Sequence, residues 1–84
     1  MEGDDREYAR LRWRCRRGML ELDLILMAFL DRHYHELEAP DRLAFERLLR
    51  TQDRTLLAYL QGEQRSDDKE LMRIVNKIRQ AADY

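Results

Sequence analysis

One cysteine, one proline and three glycines are all that this 84-residue chain holds of the residues that cross-link or break a backbone. The lone thiol, Cys15, excludes an internal disulfide and fits a reducing compartment. β-branched residues are confined to Ile25, Thr51, Thr55, Ile74, Val75 and Ile78, which together with the scarcity of glycine and proline points to an all-helical fold. Long apolar runs are lacking too. The longest, Leu24 to Leu30, falls far short of the roughly 20 residues that cross a bilayer. The start, Met1-Glu2-Gly3-Asp4-Asp5, is acidic and has no apolar stretch, so it reads as neither a secretory signal nor a basic transit peptide. A cytoplasmic protein without membrane insertion is expected. Charge of one sign is absent: the formal net charge is -1, which gives no global attraction to nucleic acid or anionic lipid.

Reactive constellations are equally scarce. With one serine (Ser66), two threonines, and no Ser/His or Cys/His spacing, nucleophilic catalysis has no candidate and no catalytic residue is assigned. His33 and His35 stand two apart and splay to different helical faces, Cys15 is distant, and Glu36 and Glu38 add only nonspecific acid, so no metal site is assigned. Cys15, at helical spacing from Leu11, reads as a small buried hydrophobe. No glycine-rich loop cradles a phosphate, and so short a helical chain offers little concave volume for a substrate. No tightly bound cofactor is expected.

What is present is apolar material at helical spacing, 44% of the chain, wrapped in an exterior that supplies 39% charged residues. One domain spanning residues 1–84 is expected, with five helices at about 5–16, 19–34, 40–50, 54–61 and 68–82. Tyr8, Leu11 and Cys15 recur along the first. In the second, Met19, Leu22, Ile25, Leu26, Phe29 and Leu30 form a wide apolar face that Leu24, Met27 and Ala28 widen further, which predicts a central helix. Pro40 suits the first turn of the third, whose Leu43, Phe45, Leu48 and Leu49 point inward. Asp53 is a plausible N-cap for the fourth and Gly62 its stop. Ser66-Asp67-Asp68 opens the fifth, with Asp67 and Glu70 at capping-box spacing and Leu71, Ile74, Val75 and Ile78 as the buried stripe.

Polar chemistry gathers around Gly18. Arg6, Arg10, Arg14 and Arg17 would line one face of a continuous helix, partly neutralised by Asp4, Asp5 and Glu7. Three uses stay open for that stripe: phosphate contact, a charged protein-binding face, or plain solvation. Trp13 beside it fits either an exposed anchor or the core. Gly18 permits close helix packing, a chain turn, or the approach of another surface. Arg17 and Glu21 would share a face on a continuous helix. Their order, arginine first, is the weaker one and contributes only about 0.2–0.5 kcal/mol, a thin reason for the arrangement.

The Arg17-Gly18-x-x-Glu21 signature, extended as Trp13-x-Cys15-Arg16-Arg17-Gly18-Met19-Leu20-Glu21-Leu22-Asp23, resembles the SdhE-type flavinylation factors, bacterial relatives of mitochondrial succinate dehydrogenase assembly factor 2. The likeness continues through Phe29, through Phe45 to Leu49 with Asp53 following, through Leu57-x-Tyr59-Leu60, and from Asp68-x-Glu70 to Ile78, covering about residues 8–80. The resemblance implies a small antiparallel five-helix bundle that binds the flavoprotein subunit of succinate dehydrogenase, and often of fumarate reductase, and promotes covalent attachment of FAD to a histidine of that subunit. It implies a partner-binding surface at Arg17, Gly18 and Glu21, flanked by Arg16 and Asp23. A monomer that acts on FAD insertion into its partner is the expectation, and nucleic acid is not an expected partner. An antitoxin-like regulatory protein-binding module, or an RNA-binding helical domain using the arginine stripe, are the competing readings.

Overall fold

Among the described residues five α-helices follow one another: α1 (Glu2–Arg14), α2 (Leu20–His33), α3 (Ala39–Leu48), α4 (Asp53–Leu60) and α5 (Lys69–Ala81), with one 3₁₀ turn at Tyr34–Glu36. This computed structural model describes residues 2–82, with side chains from residue 6 onward. The acidic side chains at positions 4 and 5, read above as neutralising the arginine stripe, lie outside the described side chains. The all-helical expectation holds, and the helix bounds fall within three residues of those predicted.

Several helix ends have a local cause. Pro40 sits in the first turn of α3, where its missing N–H is not needed. α4 closes in a Schellman motif: the Gly62 N–H donates to the Tyr59 carbonyl at 3.1 Å and the Glu63 N–H to the Ala58 carbonyl at 2.9 Å, with Gly62 at φ +78°. Two expected caps are corrected. Asp53 is the first residue of α4, not its cap. Gln52 occupies the cap position without a side-chain bond, and the Asp53 carboxylate faces Arg17 instead. At α5 the cap is Asp68 rather than Asp67: its carboxylate accepts the Leu71 N–H at 3.1 Å, while its own N–H donates to the Ser66 hydroxyl at 3.1 Å.

The core draws on every helix, with Leu11 from α1, Leu22, Leu26 and Leu30 from α2, Phe45 and Leu48 from α3, Leu56 and Leu60 from α4, and Ile74, Val75 and Ile78 from α5. Cys15, just past α1, is fully buried among them, and burial pushes its thiol up to about 12. It packs as a hydrophobe, as its spacing suggested. Phe29 stacks on Phe45 with ring centres 6.0 Å apart.

α2 touches α1, the 3₁₀ turn and α5, as its wide apolar face predicts, but it shares the central place with α5. α5 packs most extensively on α3 and also lies against α4 and α2, whereas α1 lies on α2. One side of α2 is nevertheless left open. Leu20, Leu24 and Ala28, at successive i, i+4 positions, form an uncovered stripe, with Leu24 58% exposed. On α3 the inward stripe runs through Asp41, Ala44, Phe45 and Leu48, so Leu43 falls outside it and is exposed, against expectation. The buried Asp41, unremarked in the sequence, ties α3 to α5 through Lys77 Nζ at 2.6 Å and Arg73 Nε at 3.2 Å. Those cations, Lys77 foremost, hold its carboxyl below the usual range despite burial.

Beside the packing of Leu11, polar contacts fasten α1 to α2. Arg12 forks onto Asp31, Nε to Oδ1 at 2.9 Å and Nη2 to Oδ2 at 3.2 Å, and the Tyr8 hydroxyl donates to the same carboxylate. The two donors hold the Asp31 carboxyl below its ordinary range, and the Asp31 carboxylate raises the Tyr8 hydroxyl. The Tyr34 hydroxyl donates to Glu7 at 3.0 Å. Trp13 faces outward, 68% exposed, with the Arg16 guanidinium 5.4 Å from its ring centre.

Candidate functional site

Between Arg14 and Leu20 the chain leaves helical geometry, so no continuous helix carries Arg17 onto the face of Arg6, Arg10 and Arg14. The four-arginine stripe ends at Arg14. Arg17 and Glu21 likewise do not pair as helical neighbours. Instead Arg17 turns inward: its side chain is only 15% exposed and reaches the α3–α4 connection. There Nη1 donates to the Leu49 carbonyl at 2.6 Å, Nη2 donates to the Thr51 carbonyl, and Nε donates to Asp53. A planar fork of five donors suits three acceptors spread over five residues, and a lysine could not match it.

The turn is closed from the α2 side by Asp23. Its Oδ1 accepts the Arg17 N–H at 2.8 Å and its Oδ2 the Gly18 N–H at 3.3 Å. A carboxylate in the first turn of α2 also complements the positive end of that helix, whose cap residue Met19 offers no side-chain bond. Asp23 and Arg17 thus brace the backbone from opposite sides.

What they brace is exposed. Gly18 takes φ +87°, a left-handed conformation that side chains disfavour, and a Cβ there would meet nothing within 4 Å. Of the three readings of Gly18, close helix packing is excluded. It lies at a turn, on the surface, beside open space. Glu21, in the first turn of α2, is exposed and forms no ion pair among the described residues. Arg16, exposed, leans over Trp13. Of the five sequence-named residues, the structure therefore leaves Gly18, Glu21 and Arg16 available to a partner and engages Arg17 and Asp23 within the chain.

Sequence reasoning missed two neighbours. Glu21 shares a shallow cleft with Ile25 of α2, Leu60 and Gln61 at the end of α4, and Arg79 of α5. Nothing in the spacing announces that residues 61 and 79 would reach residue 21; only the packing of α5 across the ends of α2 and α4 brings them there. The Asp53 acceptor was visible as a residue but assigned to a cap.

Comparison with known proteins places the chain in a family over most of its length. Residues 9–82 match the family described as flavinator of succinate dehydrogenase. A protein of Colwellia psychrerythraea named FAD assembly factor SdhE is 49% identical over 70 residues, which cover 83% of this chain and 77% of that protein. A Shewanella oneidensis protein of the same name is 45% identical over 71 residues, 84% of this chain and 87% of its own. One from Legionella pneumophila is 46% identical over 76 residues, 90% of this chain and 95% of its own. No helix among the described residues is long and apolar enough to cross a membrane.

Proposed function

Because the chain belongs to the family of succinate dehydrogenase flavinators, we propose that it docks on the flavoprotein subunit of succinate dehydrogenase and promotes covalent attachment of FAD there. It acts as an assembly factor and not as an enzyme. The FAD belongs to the partner, and the fumarate reductase flavoprotein is a second client of the same chemistry. The observation that carries this reading is the Gly18 turn, exposed, open within 4 Å, and flanked by the Glu21 carboxylate, which forms no ion pair among the described residues.

Covalent attachment needs a histidine of the partner held against the flavin in a near-attack arrangement. A helper need not supply reactive groups for that. Binding one arrangement of the partner's domains more tightly than the others shifts the population towards it. Gly18 lets a partner's backbone approach the turn, and Glu21 offers a charge-assisted acceptor. Arg17 and Asp23 set the shape of the turn from behind. The residual arginine face of Arg6, Arg10 and Arg14, without Arg17, gives the RNA-binding reading less to stand on.

The test follows covalent flavin fluorescence of the flavoprotein subunit in cells lacking this chain. Wild type should restore the signal, while Gly18→Arg and Glu21→Ala, each still folded by circular dichroism, should not. Unchanged flavinylation without the chain would overturn the function. Full activity of both folded variants would move the docking site elsewhere. Recovery of a small toxin as the stoichiometric partner would favour the antitoxin-like reading.

A further inference from the structure

We propose that Glu21 and Arg79 are the two poles of one cleft that receives a carboxylate-bearing segment of the flavoprotein partner, with Arg79 taking the carboxylate. The proposal rests on the docking function above and adds a residue and a ligand chemistry to it.

The cleft, of about 190 Å³, runs from Glu21 to Arg79 over apolar walls contributed by Ile25 and Leu60, with Gln61 at its edge. Its two poles carry opposite charge, yet no ion pair joins them or engages either one among the described residues. Arg79 Nε is shut off from solvent without a hydrogen-bond partner among the described residues. The rest of the guanidinium likewise makes no hydrogen bond or ion pair among the described residues, so its charge is free for a charge-assisted bond to an incoming carboxylate.

Gly62 explains how the guanidinium comes to lie there. A Cβ at position 62 would stand 2.7 Å from Arg79 Nη2 and 3.0 Å from Cζ. The glycine that ends α4 therefore also leaves the berth in which the Arg79 head rests. Across the cleft, Glu21 repels a second carboxylate, so an acidic segment can enter in only one sense, with its acid at Arg79 and its N–H groups or a cation towards Glu21. Repulsion at one pole supplies direction as attraction at the other supplies affinity. The cleft shares Glu21 with the Gly18 turn, so a single partner surface can cover both.

Affinity of purified flavoprotein subunit for the full chain would be measured at low and high salt, for wild type, Arg79→Gln, Arg79→Lys and Glu21→Ala, beside thermal melts of each. Arg79→Gln should weaken binding about tenfold or more, the loss of a charge-assisted bond, and should flatten the salt dependence. Arg79→Lys should fall between, since a point charge lacks the fork. Wild-type affinity in Arg79→Gln, beside weakened binding in Glu21→Ala, would overturn the cleft alone and leave the docking function standing. A lowered melting temperature in Arg79→Gln with affinity and salt dependence unchanged would likewise assign Arg79 to packing and overturn it. Absence of wild-type binding would remove both.

Discussion

Gly18 and Gly62 share a left-handed backbone, at φ +87° and +78°, but sit in opposite surroundings. Gly62 is explained by its own neighbourhood. It terminates α4, its N–H and that of Glu63 satisfy two helix carbonyls, and the Arg79 head fills the space where a side chain would stand. Gly18 lies four residues beyond α1 and two before α2, satisfies no helix carbonyl, and has nothing in front of it. Its N–H goes to Asp23, and Arg17 beside it is anchored across the bundle. The backbone angle alone would favour glycine at both places. What separates them is the open space, which at Gly18 is held in place by side chains that themselves face away from it.

The largest test removes that support. Arg17→Ala deletes three hydrogen bonds and leaves Asp53 facing a half-buried gap, so it should cost about 2–4 kcal/mol in denaturant melts. Arg17→Lys should recover little, because one ammonium cannot serve two carbonyls and a carboxylate in that plane. A wild-type melt for Arg17→Ala would break the contrast, since the first turn would then stand without its brace.

Next in size is the contact that fixes α5, the helix carrying Arg79. Asp41→Asn removes the charge facing Lys77 and Arg73, whose half-exposed ends limit the loss to about 1–2 kcal/mol at neutral pH. The Asp41 carboxyl is lowered in the fold relative to about 3.9 in the unfolded chain, so its contribution is complete above that value. It is lost as pH falls through the lower folded value. Melts of wild type and Asp41→Asn should therefore differ at pH 7 and converge well below pH 4.

How far the sequence disclosed these features follows from the range of the physics involved. Helices, their order and most of the core are set by spacing within a few residues, and those were legible from Leu22, Phe29, Phe45 and Ile78 onward. Gly18 and Glu21 were legible as candidates. The direction of Arg17 was not, because a broken helix invalidates i, i+4 reasoning and its acceptors lie more than 30 residues away. Asp53 was misread because a cap and a long-range acceptor look alike in one dimension, and Asp67 because Asp68 offers the same carboxylate one residue on. The exposure of Leu24 and Leu43 depended on which faces α5 covers, and no local pattern encodes that. Arg79 and its berth on Gly62 join two helix ends and belong wholly to tertiary structure.

The smallest effect discriminates best. Alanine at either glycine must adopt a left-handed backbone, at about 1–2 kcal/mol each. Steric conflict adds little at position 62, since the atom it meets is the mobile end of Arg79, and nothing at position 18. Gly18→Ala and Gly62→Ala should therefore melt alike. Their docking should not match for the same reason. At position 62 the new methyl displaces the guanidinium, so affinity for the flavoprotein should fall with the loss of Arg79 salt dependence, and Gly62→Ala combined with Arg79→Gln should be no worse than Arg79→Gln alone. At position 18 the methyl projects outward, so binding should weaken with the salt dependence intact, and a larger side chain should abolish it. Titration of the flavoprotein subunit into each variant checks both. Should the two alanine variants bind as wild type does, each glycine would be a requirement of its backbone alone, and the open space before Gly18 would lose its significance.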